Sequence, residues 1–272
     1  MAVRLIALDL DGTALVSHRF LSERTRLAVL AALEAGIRVV PATGRSYTDI
    51  PGAVTEIPGI PCFLTSNGAN IVDGKDGSSI YTDLIPWQEA VQVLELLAHY
   101  DVQPSVHLKG ASTNLRTADP RIVARYGNTD YFTRHSVDDL AAFVRQEQAG
   151  VEKIFAVLLD QGQKAELTAR ITARYALSVS ASGPDNIELN SPTASKGHGL
   201  AVFCGMLGIS AAETAVIGDS INDISMFQFA GCRIAMGNAE PCIKELSQHV
   251  TESCEKDGAA LAIESIISSS RG

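Results

Sequence analysis

The chain has 272 residues, 46% hydrophobic and 19% charged, with a formal net charge of −9. Such a length can bury a substantial core in one large or two modest domains, and such a balance excludes a disordered chain. The acidic surplus is not interrupted by any Lys/Arg cluster, which argues against a nucleic-acid partner; a metal and a few placed cations could still present a positive field to a small anion.

Val3 to Leu8 is an apolar run with β-branched members, ended by an Asp-Gly turn at Asp11 and Gly12. It reads as a strand buried on both faces, as in a parallel sheet. A helix is predicted from Ser22, a plausible N-cap, to Ala35, with Gly36 placed to end it. IRVVPAT then reads as a second strand, and IPCFLTSN as a third after an intervening helix. This β-α-β-α-β opening is that of a doubly wound parallel sheet, an α/β fold.

The rhythm then changes. NIVDGKDGSSIYTD reads as a β-hairpin, and an amphipathic helix is predicted from Trp87 to about Tyr100, with Trp87 as a packing anchor. Val151 to Asp160 is a strong strand and Gln163 to Tyr175 a helix, without parallel-sheet order around them. Residues 84–188 are therefore expected to be an inserted α+β domain, and residues 1–83 with 189–272 the α/β core. Parallel rhythm returns with a helix over Gly197 to Leu207, a capping-box spacing at Ser210 and Glu213, the strand AVIGD, the strand CRIAM and a final helix near Ala259 to Ile267.

Five widely spaced cysteines (Cys62, Cys204, Cys232, Cys242, Cys254) form no CxxC pair and are expected to be reduced and mostly buried. VRLIALDL is too short for a signal peptide or a membrane span and is broken by Asp9 and Asp11, so a soluble cytoplasmic protein with no membrane partner is expected.

Acids end two of the apolar strands: Asp9 and Asp11 after the first, Asp219 and Asp223 after the fourth of the core. Open α/β sheets bind ligands at the carboxyl ends of strands where the strand order reverses. Should those two strands flank that point, four carboxylates converge and need a cation between them. Oxygen ligands without His or Cys favour magnesium over zinc. Thr43 and Asn67 end the second and third strands, Lys196 precedes a helix, and Gly12, Gly44 and Gly218 permit close backbone approach to an anion.

Taken in order, DLDGT at 9–13, ATGR at 42–45, SNGA at 66–69, SKG at 195–197, GDSIND at 218–223 and MGNA at 236–239 resemble the haloacid dehalogenase superfamily. More narrowly the chain resembles the Cof-type sugar-phosphate phosphatases, class IIB capped enzymes. The resemblance covers residues 1–83 and 189–272 and fades in the insert. It implies a Rossmann-like core with a C2B-type cap, a Mg2+ cofactor and a small-molecule phosphate ester as substrate. It further implies Asp9 as nucleophile and metal ligand, and Asp11 as general acid/base whose backbone carbonyl also meets the metal. Asp219 would complete the metal site, with Asp223 as a ligand or a supporting neighbour. Thr43, Gly44, Arg45, Lys196 and Asn222 would serve the phosphoryl group or substrate, Lys196 also offsetting charge on Asp9. Ser220 departs from the pattern, which commonly has Gly there.

Competing readings share many of these residues. Asp11 is absent from the dehalogenase and P-type ATPase branches, so its presence favours a phosphatase, with a phosphomutase as the alternative. A phospho-aspartate receiver gathers similar acids but lacks DxDGT and has no place for the insert; a non-catalytic sugar-phosphate sensor stays open. Arg45 could instead pair with a neighbouring acid, Asn67 could simply make a turn, and His107, His135 and His198 read as surface or packing residues. Which side chains of the insert face a substrate is left open, with Asp185, Asn186 and Glu188 as candidates.

Overall fold

The computed structural model describes residues 2–126 and 135–270. β1 (Leu5–Asp9) is buried along its whole length, as an apolar strand flanked by parallel neighbours must be. A small hairpin, β2 (Leu15–Val16) and β3 (Phe20–Leu21), follows it. In α1 (Glu23–Glu34) the Ser22 side chain accepts a hydrogen bond from the Thr25 N–H, and Gly36 beyond its end has φ +81°. Then come β4 (Arg38–Ala42), the single turn α2 (Gly52–Thr55), β5 (Cys62–Thr65), β6 (Asn70–Asp73) and β7 (Ser79–Thr82). The intervening helix expected before β5 is thus one turn long.

The middle of the chain holds α3 (Trp87–Leu97), β8 (Val102–Leu108), β9 (Ala111–Leu115), α4 (Pro120–Tyr126), β10 (Ser136–Val137) and α5 (Leu140–Glu147). It continues through β11 (Lys153–Leu158), α6 (Lys164–Arg174), β12 (Ser178–Ser180) and β13 (Asn186–Asn190). The last part runs α7 (Lys196–Leu207), β14 (Thr214–Gly218), α8 (Ile224–Phe229), β15 (Cys232–Ala235), α9 (Pro241–Leu246), β16 (His249–Val250) and α10 (Gly258–Ser270).

Two compact units result: residues 1–81 with 195–272, and residues 82–194. The return boundary expected at 188/189 would cut β13, whose Asn186–Leu189 pairs with β11 and whose Leu189 and Asn190 also pair with β12. Ladder hydrogen bonds keep that strand whole, so the junction lies after Ala194. At the entry side it lies after Tyr81 rather than residue 83. Asp83 accepts a 2.7 Å hydrogen bond from the Thr193 hydroxyl, tying the first and last residues of the second unit together. Residues 1, 127–134 and 271–272 of the expected domains lie outside the described residues.

The first unit is built on an eight-stranded sheet of order β16-β15-β14-β1-β4-β5-β6-β7. Its strands from β16 to β5 are parallel, and β6 turns back antiparallel on β5. From β1 the chain builds outward through β4 and β5, then returns to add β14 on the other side. The order therefore reverses between β1 and β14, whose register sets Leu8 beside Ile217. The second unit carries a six-stranded sheet of order β10-β9-β8-β11-β13-β12, largely antiparallel, with its own apolar core including Val93, Leu97, Ile154, Leu167 and Leu189. Trp87 packs against that core, as expected of an anchor. The five cysteines are free thiols; only Cys62 and Cys204 are buried, the other three being half-buried near the edges of the first unit's packing. Among the described residues no helix is long and apolar enough to cross a membrane.

Candidate active site

The end of β1 delivers Asp9, and the loop after β14 delivers Asp219 and Asp223. One carboxylate oxygen from each lies within 4.8 Å of the others. Lys196, the first residue of α7, comes from 187 residues along the chain and places its Nζ 2.6 Å from Asp9 Oδ1 and 2.6 Å from Asp223 Oδ1. Asp9, Lys196 and Asp223 are at most 3% exposed. Asp223 Oδ2 accepts hydrogen bonds from the backbone N–H groups of Asp219 (2.9 Å) and Ser220 (3.1 Å), so both of its oxygens are engaged. Asp219 accepts from the Thr13 hydroxyl at 3.0 Å.

Three carboxylates against one ammonium leave two uncompensated negative charges in a buried place. Burial, followed by the neighbouring Asp223, pushes the Asp9 carboxyl well up against the pull of Lys196. Burial and Asp223 likewise raise Asp219 to about 6. Burial alone would lower Lys196, but Asp223 and Asp9 outweigh it and keep the ammonium charged. Asp9 Oδ2 is buried with no hydrogen-bond partner. A hard divalent cation meets each of these conditions: oxygen-only donors, excess negative charge and an unpartnered carboxylate oxygen.

Asp11 does not join this cluster. Its carboxylate is clasped by Arg45, Nε to Oδ2 at 2.7 Å and Nη2 to Oδ1 at 2.6 Å, with His18 Nδ1 3.1 Å from Oδ1. Burial would raise Asp11, but hydrogen bonds from Arg45 and His18 prevail and hold it well below the usual carboxylate range. The same contact raises His18. The expectation of four converging carboxylates is thus corrected to three, because a bidentate guanidinium holds the fourth. Arg45, expected to serve the substrate, is engaged with Asp11, the Asp49 carbonyl and the His18 carbonyl.

Thr43 is buried just beyond β4, its hydroxyl accepting from the Arg45 N–H at 3.1 Å, and Gly44 lies half-buried in the bend between them. Asn222 Nδ2 donates to Asn67 Oδ1 at 3.3 Å, joining the loop after β14 to the end of β5. Asn67 is buried at φ +59°, followed by Gly68 at φ +81°. A Cβ at Gly68 would stand 2.3 Å from the Ser195 carbonyl oxygen, so only glycine lets this turn back onto the residue preceding Lys196. Gly12, at φ +83°, performs the same service beside Asp219, whose Oδ2 a Cβ would meet at 2.4 Å. Ser220 has φ −124° and needs no glycine; its side chain closes a capping box with Asp223 and donates to Asn222 Oδ1 at 2.7 Å.

Three contributors were not singled out from sequence. Thr13 and Asn238 lie within motifs read only as motifs; Asn238 Nδ2 donates to the Gly12 carbonyl at 2.8 Å. Asn238 follows an apolar strand end, as Asp219 does, and that position was the available clue. His18 had none, because its approach to Asp11 depends on a positive φ of 58° in the hairpin loop.

A family profile described as haloacid dehalogenase-like hydrolase matches residues 6–263. The chain belongs to that family. Within the haloacid dehalogenase-like hydrolases it is a Cof-type enzyme of the phosphatase kind. It is 30% identical over 280 residues to "Phosphatase YwpJ" of Bacillus subtilis, covering 95% of this chain and 98% of that one. It is 28% identical to "5-amino-6-(5-phospho-D-ribitylamino)uracil phosphatase YwtE" of the same organism, covering 98% and 99%. Among solved structures, a haloacid dehalogenase-like hydrolase from B. subtilis superposes with a TM-score of 0.80 at 29% identity, covering 96% and 99%.

Proposed function

We propose that the chain hydrolyses a small phosphate monoester, a sugar phosphate or similar phosphometabolite, with Mg2+ held by Asp9, Asp219 and the Asp11 backbone carbonyl. The observation that carries this reading is the Asp9–Lys196–Asp223 cluster with its unpartnered Asp9 oxygen. Asp223, with both oxygens engaged, fits the task of fixing Lys196 and the Asp219 loop better than direct ligation. When bound, the metal would neutralise the carboxylates and draw charge from the phosphoryl oxygens.

With Arg45 drawn to the phosphoryl group, Asp11 takes up a proton from solvent; Asp9 then attacks phosphorus in line, the bond to the ester oxygen breaks, and Asp11 gives that proton to the departing alkoxide. Asp11, again a carboxylate, then takes a proton from water, which attacks the aspartyl phosphate and releases inorganic phosphate with Asp9 restored. Lys196 and Thr43 face the growing charge on the phosphoryl oxygens. Arg45 and His18 keep Asp11 ionised, the state suited to accepting a proton. To donate one, Asp11 needs Arg45 to let go, and a phosphoryl dianion is the group that would draw a guanidinium away.

The test is release of free phosphate by purified protein with Mg2+ across a panel of phosphometabolites and an aryl phosphate. Turnover without a bisphosphate activator supports the hydrolase over a phosphomutase. No release from any member sinks the enzymatic reading.

A further inference from the structure

The loop joining β2 to β3 turns at Val16–Arg19, where the Arg19 N–H donates to the Val16 carbonyl at 3.1 Å. Its two central residues both have positive φ, +49° at Ser17 and +58° at His18. Turns of that hand favour glycine or asparagine, because a Cβ in the left-handed region crowds the carbonyl oxygen. His18 therefore stands where its side chain costs stability. Packing offsets little of this, since the side chain is 73% exposed. What the histidine supplies is a ring nitrogen: Nδ1 lies 3.1 Å from Oδ1 of Asp11, seven residues back. Backbone strain at a residue that reaches a reacting carboxylate points to a role in the reaction rather than in folding.

The two oxygens of Asp11 are held unevenly. Oδ2 accepts from Arg45 Nε at 2.7 Å, whereas Oδ1 accepts from both Arg45 Nη2 at 2.6 Å and His18. The same Nη2 donates to the His18 carbonyl at 2.7 Å, closing the turn over the carboxylate. When the guanidinium turns to a phosphoryl dianion, Oδ2 loses that donor and Oδ1 keeps one. A carboxyl group fixed through one oxygen has a defined second oxygen to carry a proton. Fixed through neither, it turns freely about its last bond and offers the proton over a range of directions.

We infer that His18 is the positioning residue of Asp11 during turnover: its Nδ1–H keeps Oδ1 once Arg45 has moved, and so assigns the transferred proton to Oδ2. Nδ1 can donate to Oδ1 both when Asp11 is ionised and when Oδ2 carries the proton, so the hold spans both halves of the cycle. His18 acts through Asp11 alone. The inference rests on the phosphatase reading, in which Asp11 serves first as acid and then as base.

The experiment compares wild type, His18→Gly and His18→Asn on phenyl phosphate and 4-nitrophenyl phosphate with Mg2+. Glycine relieves the strain and removes the donor. Asparagine tolerates the same backbone and carries Nδ2 as many bonds from Cα as histidine carries Nδ1. Phenolate departs less readily than 4-nitrophenolate, so phenyl phosphate depends more on a well-aimed proton, and kcat/KM reads the steps up to that departure. Expected of His18→Gly are a melting temperature no lower than wild type and a kcat/KM loss of about tenfold on phenyl phosphate, several-fold smaller on 4-nitrophenyl phosphate. His18→Asn should return phenyl phosphate to within about twofold of wild type. Equal losses on the two esters, no loss on either, or an asparagine variant as slow as the glycine one overturns the inference. With an active wild type, any of these removes this inference alone; a wild type that releases no phosphate from any ester removes the phosphatase reading and this inference with it.

Discussion

The two units bury polar groups in opposite ways. At the carboxyl end of β1 and β14, charge is concentrated and almost every atom is spoken for: Lys196 bridges two carboxylates, Asp223 also takes two backbone N–H groups, and Arg45 closes on Asp11. On the sheet of residues 82–194 Lys153 and Glu188 meet at 3.1 Å, and Gln103 Nε2, Ser105 Oγ and Ser112 Oγ are buried without a hydrogen-bond partner among the described residues. The first arrangement holds reacting groups in fixed positions before anything binds, which suits chemistry that develops charge. The second leaves buried polar atoms unmatched, which costs free energy in the folded state.

Asp9→Asn should break the charged side of this contrast most completely. Phosphate release should fall by about 10⁴-fold or more, with the fold intact by circular dichroism; substantial residual turnover would remove Asp9 as nucleophile. Lys196→Met tests how far the buried network holds the fold as well as the reaction. It leaves Asp9 and Asp223 facing each other unbridged and should cost about 3–5 kcal/mol in denaturant titrations without metal, an amount that added Mg2+ partly recovers.

Arg45→Ala should lower kcat/KM by about 10²-fold, in the range of removing one fixed charge-stabilising group. It should also release Asp11 towards the ordinary carboxylate range. Because Arg45 helps hold Asp11 below its unfolded value, the stability it provides is present at neutral pH and fades as pH falls below about 4. A wild-type minus variant difference that persists undiminished at pH 2.5 would contradict that linkage.

Asp219 runs the other way. Raised to about 6, it favours the folded state fully below its unfolded value near 4 and loses that contribution as pH rises through about 6. The rise in melting temperature on adding Mg2+ should therefore grow between pH 5 and pH 7, as protons cease to compete. A metal effect independent of pH would sever the link between Asp219 and the cation.

The core was legible because its strands are continuous apolar runs ended by acids, and parallel-sheet topology turns such ends into neighbours. β4 and β5 lie within the expected segments, as does α1 with its Ser22 cap, while β1 and β14 each run one residue beyond theirs. The same logic brings Asp9 near Asp219 and Asp223, whereas Lys196 stands out in the sequence only by its place in the motif order. What sequence could not show was side-chain partnership. The spacing of Asp9 and Asp11 alone does not tell that one faces the cluster and the other Arg45, because alternation along a strand end gives no distances. The sequence alone does not assign Asn186–Asn190 to the insert; its pairing with β11 and β12 does. The sequence offers Glu188 as a candidate but not its bond to Lys153, which spans 35 residues and depends on strand register.

The placement of β14 beside β1 also bears on how the protein is made. β1 finds its β4 partner within residues 1–81, whereas its partner on the other edge, Thr214–Gly218, follows only after the whole insert. An apolar strand with an unpaired edge is a template for wrong partners, so the nascent chain carries that exposure through the whole length of the insert. Lys196 and Asp223 arrive over the same interval. The sheet is sealed by the segment that also completes the acidic cluster, so a chain truncated before β14 would lack both its central neighbour and its chemistry.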